Sequence, residues 1–198
     1  MRLYLINPFN SLVSLVNLKA SRWNRYRVWK PLGLLTVAGL TPAEWDVTII
    51  DENMGIQDFQ ALPLPDLVGI TAFTSQSCRA YEIAAEFRGR GVPVVMGGIH
   101  ATMCSEEALN YVDAVVAGEA ENTWKDVLHD VEHHQLKRLY ACRHADMTHI
   151  APARHDLLKT GYTFGAIQTT RGCPLNCSFC SVSAVSYTHL TLPTNREV

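Results

Sequence analysis

Three cysteines lie within eight residues near the end of the chain, at Cys173, Cys177 and Cys180. Their C-x3-C-x2-C spacing places three thiols on one tight loop, and thiolates are the usual protein ligands of iron–sulfur clusters. Three thiolates can hold three irons of a 4Fe–4S cluster and leave the fourth iron open, whereas a closed zinc site usually has four protein ligands. The spacing therefore predicts a cluster with one open iron. The alternative is a zinc knuckle whose fourth ligand is Cys142 or His189.

Composition and charge exclude several broad classes. The chain has 198 residues, of which 47% are hydrophobic, and its formal net charge is −2. This charge favours neither a nucleic-acid partner nor a membrane-surface partner. No apolar run is as long as a membrane span, and the first residues lack the apolar core of a signal peptide. We therefore expect a cytoplasmic protein without a membrane span.

Short apolar runs alternate with helical patterns through the first two-thirds of the chain, as in parallel α/β sheets whose strands are covered on both faces. The predicted strands are residues 2–6, 47–50, 67–71, 92–96 and 114–117. The predicted helices are residues 32–40, 75–88, 105–111 and 121–134.

This alternation predicts a flavodoxin-like, doubly wound parallel sheet over residues 1–142. In such a sheet the ligand lies outside the carboxyl ends of the strands, so function is expected in the loops there. Residues 143–161 are polar and without sustained periodicity, which predicts a linker. A further strand is predicted at residues 164–170, leading directly into the cysteine loop.

The cysteine loop, with Gly172 before it and Phe179 ahead of its last cysteine, resembles the signature of radical S-adenosylmethionine (SAM) enzymes. The resemblance implies that the three cysteines hold a 4Fe–4S cluster whose open iron chelates SAM, and that Phe179 lies near the adenine. It also implies that residues 162–184 begin a radical SAM α/β barrel. In that family, electron transfer from the cluster cleaves SAM and yields a 5′-deoxyadenosyl radical.

The order of the two parts resembles the cobalamin-binding subclass of radical SAM enzymes. The phrase Gly97-Gly98-Ile99-His100 after the fourth strand is similar to that subclass's Gly-Gly loop, and adjacent glycines let backbone approach a bulky ligand. The segment 71–75 matches the stretch that lines the cobalamin nucleotide tail. The cofactor contacts implied by this resemblance are Thr71, Thr74, Ser75, Gly97, Gly98 and His100.

One feature departs from many cobalamin domains, which carry Asp-x-His-x-x-Gly after the first strand. The chain has no histidine before His100, and residues 51–55 place Asn53 where an imidazole would be needed. An amide is a poor substitute for imidazole as a cobalt ligand. We therefore expect cobalamin to bind without a histidine on cobalt, the alternative being a domain that no longer binds it.

The first 43 residues contain no acidic residue, and basic residues alternate there with aromatic ones. Such a mixture can hold a nucleic-acid strand, the phosphate and amides of a cofactor tail, or only solvent. Its place after the first strand favours contact with cofactor or substrate over RNA. The residues concerned are Lys19, Arg22, Trp23, Arg25, Tyr26, Arg27, Trp29 and Lys30.

Together these features predict a radical SAM enzyme with an amino-terminal cobalamin domain, acting by methylation, cyclisation or rearrangement of an unactivated carbon. We expect a small-molecule substrate, lipid-like or tetrapyrrole-like, and an electron donor such as flavodoxin or ferredoxin. No catalytic side chain is identified. The alternatives are a radical SAM methylthiotransferase acting on RNA, with a second cluster, and a degenerate module without cobalamin.

The length of the second part predicts an incomplete enzyme. An α/β barrel takes about 250 residues, and only residues 162–198 follow the linker. The stretch 185–198 is rich in Thr, contains Pro193 and lacks an apolar helical face, so we expect it to be a non-native tail. We expect the chain to be inactive alone.

Overall fold

The computed structural model describes residues 1–16, 28–142, 151–158, 161–175 and 177–185. Six strands run through it: β1 Arg2–Asn7, β2 Asp46–Asp51, β3 Leu67–Thr71, β4 Val94–Gly97, β5 Ala114–Gly118 and β6 Leu139–Cys142. They form one sheet in the order β2-β1-β3-β4-β5-β6, and every neighbouring pair is parallel. The chain therefore has the flavodoxin-like, doubly wound architecture predicted from its sequence.

Helices connect these parallel strands. They are α1 Leu32–Leu40, α2 Ser77–Gly89, α3 Gly98–Met103, α4 Ser105–Ala108, α5 Trp124–Glu132 and α6 Val182–Val185. Short 3₁₀ turns occur at Phe59–Ala61, Thr74–Gln76 and His155–Leu157. Across the described ranges, no helix is both long and apolar enough to cross a bilayer.

Alternate residues of β1 point into two separate cores. Tyr4 and Ile6 pack on one face of the sheet, in a cluster that includes Phe87 of α2. Leu3 and Leu5 pack on the other face, in the cluster that holds the buried residues of α1 and α5. Because successive strand side chains point to opposite faces, a continuous apolar run is what a sheet covered on both sides requires.

The strand order reverses between β1 and β3, and a network of buried polar groups fills this switch point. The Gln76 side-chain amide donates to Asn7 Oδ1 at 3.0 Å and also to the carbonyl of Pro8, and its Oε1 accepts from the backbone of Phe73 at 3.0 Å. Buried polar groups must be paired to be tolerated. The network therefore fixes the loop after β1 against the loop after β3.

A buried ion pair supports the same region. The Glu52 side chain is completely buried, and Arg79 of α2 grips it with Nη2–Oε1 at 2.6 Å and Nε–Oε2 at 2.9 Å. The backbone amide of Phe9 donates to Glu52 Oε2 at 3.0 Å. The pair thus ties α2 to the loops that follow β1 and β2.

Two sequence predictions need correction, and one strand was missed. No strand forms at residues 164–170: Ile167 is 89% exposed, and a strand without hydrogen-bonded neighbours is not stable. The helix predicted to reach Tyr111 ends at Ala108. The strand β6 was not predicted, because it is an edge strand whose four residues pair only with β5, and their exposed members obscure the apolar pattern.

The stretch predicted to be a linker is partly docked on the sheet domain. The amide of Arg154 donates to the carbonyl of Leu35 in α1 at 3.0 Å. The Tyr162 hydroxyl donates to Asp51 Oδ2 at 2.7 Å, and burial together with this carboxylate raises the Tyr162 pKa well above its usual value. Residues 143–150 and the predicted tail at 186–198 lie outside the described residues.

Replacing Arg79 with Met should destabilise the domain by about 3 kcal/mol, because a fully buried carboxylate loses its cation. The measurement is urea unfolding followed by circular dichroism. The matched control is Arg154→Met, which breaks the solvent-exposed pair with Asp156 and should cost less than about 1 kcal/mol. Equal losses for the two variants would contradict the buried-pair account.

Candidate cofactor site

A cleft of about 220 Å³ opens at the carboxyl ends of β3, β4 and β5, bounded by α1 and the start of α5. This is the edge of a doubly wound sheet where ligands bind. The volume is below the range of about 300–1,000 Å³ typical of pockets for whole drug-sized ligands. The cleft can therefore enclose one part of a large ligand and leave the rest outside.

Glycines open the floor of the cleft. Gly69 lies in the middle of β3, where an added Cβ would stand 2.8 Å from a methyl of Leu5 and 3.7 Å from the ring of Trp124. Gly33, at the start of α1, faces open space, with nothing within 4 Å of an added Cβ. The missing side chain of Gly33 leaves open space in the cleft, and that of Gly69 lets Leu5 and Trp124 pack closely against β3.

The turn from β4 into α3 depends on Gly98. Its φ is +91°, and an added Cβ would lie 2.6 Å from the hydroxyl of Thr71, so a side chain is excluded on both counts. The hydroxyl of Thr102 donates to the carbonyl of Gly98 at 2.8 Å and accepts from the amide of Gly118 at 3.0 Å. One threonine thus holds the ends of β4 and β5 together.

Apolar side chains form the walls. Leu5, Val95 and Val116 contribute from three strands, and Trp124 contributes from α5. The Trp124 indole is 3% exposed, and its Nε1 donates to Thr41 Oγ1 at 2.8 Å. The hydrogen bond fixes the plane of the ring, so the slot has one rigid aromatic wall.

The rim of the cleft is charged. Glu119 and Glu121 follow β5, and both pair with Arg171 Nη1, at 3.8 Å for Glu119 Oε1 and closer for Glu121. Gln168 accepts from Arg171 Nε at 3.2 Å and lines the same cleft. The segment leading into the cysteine loop therefore lies directly against the cleft.

The structure brings together only some of the implied cobalamin contacts. Thr71, Gly97 and Gly98 line the cleft. Thr74 and Ser75 lie outside it, and Ser75 Oγ accepts from the Asn10 side chain at 3.2 Å. Both hydroxyls belong to the loop after β3 and support the cleft rather than face it.

His100 also lies outside the cleft. Its ring is 2% exposed, with Nε2 at 2.8 Å from the Tyr81 hydroxyl and Nδ1 at 3.4 Å from Thr74 Oγ1. Burial and a hydrogen bond to Glu107 raise the pKa of Tyr81. The imidazole thus anchors α3 to α2 on the opposite face of the sheet from the cleft.

Asn53, which stands where many cobalamin domains carry histidine, has a structural role. Its side chain donates to the carbonyl of Pro8 at 3.1 Å and to Asp51 Oδ1 at 2.9 Å, and accepts from the amide of Asn10 at 2.8 Å. With 3% exposure, this amide is fully engaged in shaping the loop after β1.

All six cysteines lie in the described part of the chain and are thiols, not disulfides. Cys173, Cys177 and Cys180 are each partly exposed, and the amide of Cys180 donates to the carbonyl of Cys177 at 3.0 Å. No three His, Cys, Asp or Glu side chains in the described ranges lie close enough together to hold a metal ion. Phe179 is 91% exposed, and Asn176 is outside the described residues.

Sequence reasoning missed three residues of this site: Gly69, Trp124 and Arg171. A glycine inside an apolar strand often marks a close approach of ligand or backbone, so Gly69 carried a usable signal. Trp124 was indistinguishable from a core residue, and no local pattern singled out Arg171. Their roles depend on tertiary contacts between distant segments.

Comparison with known proteins agrees with this geometry. A family model described as B12 binding domain matches residues 20–128, which include the glycine turn and most of the cleft. Residues 20–27 of the match, which hold most of the basic aromatic stretch, lie outside the described residues.

Relatives match most of this chain. It is 40% identical over 163 residues to bacteriochlorophyllide d C-8(2)-methyltransferase of Chlorobaculum tepidum, covering 75% of this chain and 34% of the relative. Bacteriochlorophyllide d C-12(1)-methyltransferase of the same organism is 33% identical, covering 78% and 36%. Hopanoid C-2 methylase of Rhodopseudomonas palustris is 25% identical, covering 85% and 33%.

The chain thus spans about a third of the length of these relatives. The family match covers more than half of the chain and coincides with a parallel sheet whose strand-end cleft is floored by glycine. The chain belongs to the B12-binding domain family.

Proposed function

We propose that this chain is the cobalamin-binding part, with the cluster-binding loop, of a radical SAM methyltransferase. The observation that carries the proposal is the contact between two features: the glycine-floored cleft, and the segment that runs through Arg171 into Cys173. A protein that transfers a methyl group by way of two cofactors needs both held at one place. The sheet edge offers such a place.

The cleft suits the nucleotide tail of cobalamin. Its floor lacks side chains at Gly33 and Gly69, and its walls are apolar, with the fixed ring of Trp124 on one side. A flat aromatic base fits a narrow apolar slot and gains by stacking and by loss of hydrated surface. The corrin ring, too large for this volume, would lie outside, over the carboxyl ends of the strands.

The cobalt would have no protein histidine below it. The Asn53 side chain is hydrogen-bonded to backbone groups, and the His100 ring is hydrogen-bonded to Tyr81 and Thr74. Neither side chain is therefore available as a cobalt ligand. With its own base held in the cleft, cobalamin would then lack both of its usual lower ligands.

The three cysteines would provide the donor set of an iron–sulfur cluster, for which their side chains would have to come closer together than they lie in the described structure. They are thiols on one loop, and thiolates hold such clusters. When bound, the cluster with SAM would supply a 5′-deoxyadenosyl radical and cobalamin would carry the methyl group. The residues of this chain would hold both groups at the strand-end edge of the sheet.

The substrate is proposed to be a small molecule of lipid or tetrapyrrole type with an unactivated carbon. The names of the relatives support this, since two act on bacteriochlorophyllide d and one on hopanoids. An electron donor such as flavodoxin or ferredoxin would reduce the cluster, and the cytoplasm is the compartment we propose.

Methyl transfer is favoured over the alternatives. The relatives' names specify methylation, whereas a methylthiotransferase would transfer a sulfur-containing group. A degenerate domain would have no need to keep a side chain out of the cleft, yet Gly33, which lines it, leaves open space there.

Filling the slot should weaken cobalamin binding without unfolding the domain. We expect Gly33→Leu to weaken affinity for added cobalamin by about tenfold or more, because the new side chain occupies the space of the base. Absorption titration with hydroxocobalamin measures the affinity. Stability should not fall, since glycine is a poor helix former.

The matched control for this variant is Gly89→Leu. Gly89 is also a helical glycine with nothing within 4 Å of an added Cβ, but it lies at the far end of α2, away from the cleft. Its affinity for cobalamin should equal that of the wild type. Wild-type affinity in Gly33→Leu would show that the cleft does not hold the tail.

Anaerobic reconstitution with iron and sulfide should give about four irons per chain. Replacing Cys173, Cys177 or Cys180 with Ala should remove the cluster absorption, because each supplies one thiolate. The variants Cys78→Ala and Cys104→Ala serve as controls and should retain it. Stoichiometric zinc in place of iron, with no effect of SAM on the spectrum of the reduced protein, would contradict the cluster.

A further inference from the structure

Arg171 is an unusual residue in its segment. Residues 164–170 are mostly exposed, yet the Arg171 side chain is only 13% exposed. It reaches into the rim of the cleft, where the side chains of Glu119 and Glu121 are 3% and 9% exposed. One cation of this mostly exposed segment is therefore inserted deeply into the sheet domain, while Phe164 stacks on Trp29.

The geometry of this contact is specific. Both carboxylates meet the same guanidinium nitrogen, Nη1, while Nε donates to Gln168 Oε1 within the segment. The planar guanidinium thus connects the loop after β5 to Gln168 of its own segment. Ion pairs removed from water are much less screened than surface pairs, and removing one partner leaves a buried charge.

Arg171 lies in the sequence next to the predicted cluster-binding loop, so a contact that holds Arg171 also holds the start of that loop. Only Gly172 separates Arg171 from Cys173, the first predicted cluster ligand. Glu119 and Glu121 directly follow Gly118, whose amide is held by Thr102 in the α3 helix that begins at the Gly98 turn. The same few residues therefore connect the wall of the cleft to the start of the cysteine loop.

We propose that Arg171, gripped by Glu119 and Glu121, is a positioning residue that fixes the cysteine loop over the strand-end cleft. This inference rests on the proposed function for its purpose, which is to hold the cluster at a set distance from the corrin. The grip itself is a property of this chain alone. It can be tested without either cofactor.

The first test uses trypsin on the protein without cofactors. Trypsin must bind the arginine side chain before it cuts, so a held Arg171 protects the bond to Gly172. Neutralising the grip with Glu119→Gln/Glu121→Gln should speed cleavage after Arg171 by about tenfold, because proteolysis follows the population of the open form. Mass spectrometry identifies the cut.

Two comparisons make this test specific. The variant Glu44→Gln/Glu106→Gln removes the same charge from exposed positions and should leave cleavage after Arg171 unchanged. Cleavage after Arg154, whose side chain is 44% exposed, serves as the internal standard in every sample. Equal rates of cleavage after Arg171 in the wild type and in Glu119→Gln/Glu121→Gln would show that the two glutamates do not hold Arg171.

The second test asks whether the grip positions the cofactors. In protein loaded with cob(II)alamin and reduced cluster, pulsed EPR should give one narrow distribution of distances between the two spins. Arg171→Met should broaden it, whereas Arg171→Lys should restore it in part, because lysine keeps the charge but not the planar fork. A distribution unchanged in Arg171→Met would overturn the positioning role.

The two tests separate the inference from the proposed function. If the wild type binds neither cofactor, the proposed function fails, and with it the purpose of the grip. The trypsin result would still decide whether Glu119 and Glu121 hold Arg171. If the cofactors bind but the distance between them is the same in the wild type and in Arg171→Met, the proposed function stands and the inference fails.

Discussion

Glycines within β3 and at the carboxyl ends of β4 and β5 are the constraint on which the site depends. Gly98 can make its turn only with φ at +91° and with no Cβ between it and Thr71. Gly69 keeps the middle of β3 flat enough for Leu5 and Trp124 to approach. Side chains would normally fill such space, because protein interiors pack densely. Here the glycines maintain a slot, and the fixed Trp124 ring gives it a rigid wall.

A second constraint comes from the polar groups around that slot. On one side, the Gln76 and Asn53 side chains hydrogen-bond to the first residues of the loop after β1, so neither of these two amides faces the cleft. On the other side, Glu119 and Glu121 receive Arg171 from a segment about fifty residues further along the chain. Loops at this edge of a doubly wound sheet are free to vary because the sheet, not the loops, carries the stability. The site is thus built from loops held by buried hydrogen bonds and ion pairs.

Much of this could be predicted from the sequence, for identifiable reasons. The apolar runs of β1 and β3 are continuous because both faces are buried, and this gave the parallel sheet. The glycine pair at 97–98 indicated the turn. The edge strand β6 was not predicted, because it is short and only one neighbouring strand stabilises it. Residues 164–170 were predicted as a strand, because composition does not reveal whether a pairing partner exists. The grip on Arg171 joins residues that no local pattern connects.

The central claim is that cobalamin binds with its nucleotide base in the cleft and with no protein nitrogen on cobalt. The most direct measurement is the continuous-wave EPR spectrum of cob(II)alamin bound to this chain, because an axial nitrogen splits the cobalt lines further through its nuclear spin. We expect cobalt lines without nitrogen splitting, and the same spectrum from the wild type and from His100→Ala. The reason is that the His100 ring is already hydrogen-bonded to Tyr81 and Thr74. Nitrogen splitting in the wild type would contradict the account. Its loss in His100→Ala would identify the histidine as the ligand, and its persistence would place the cofactor's own base on cobalt.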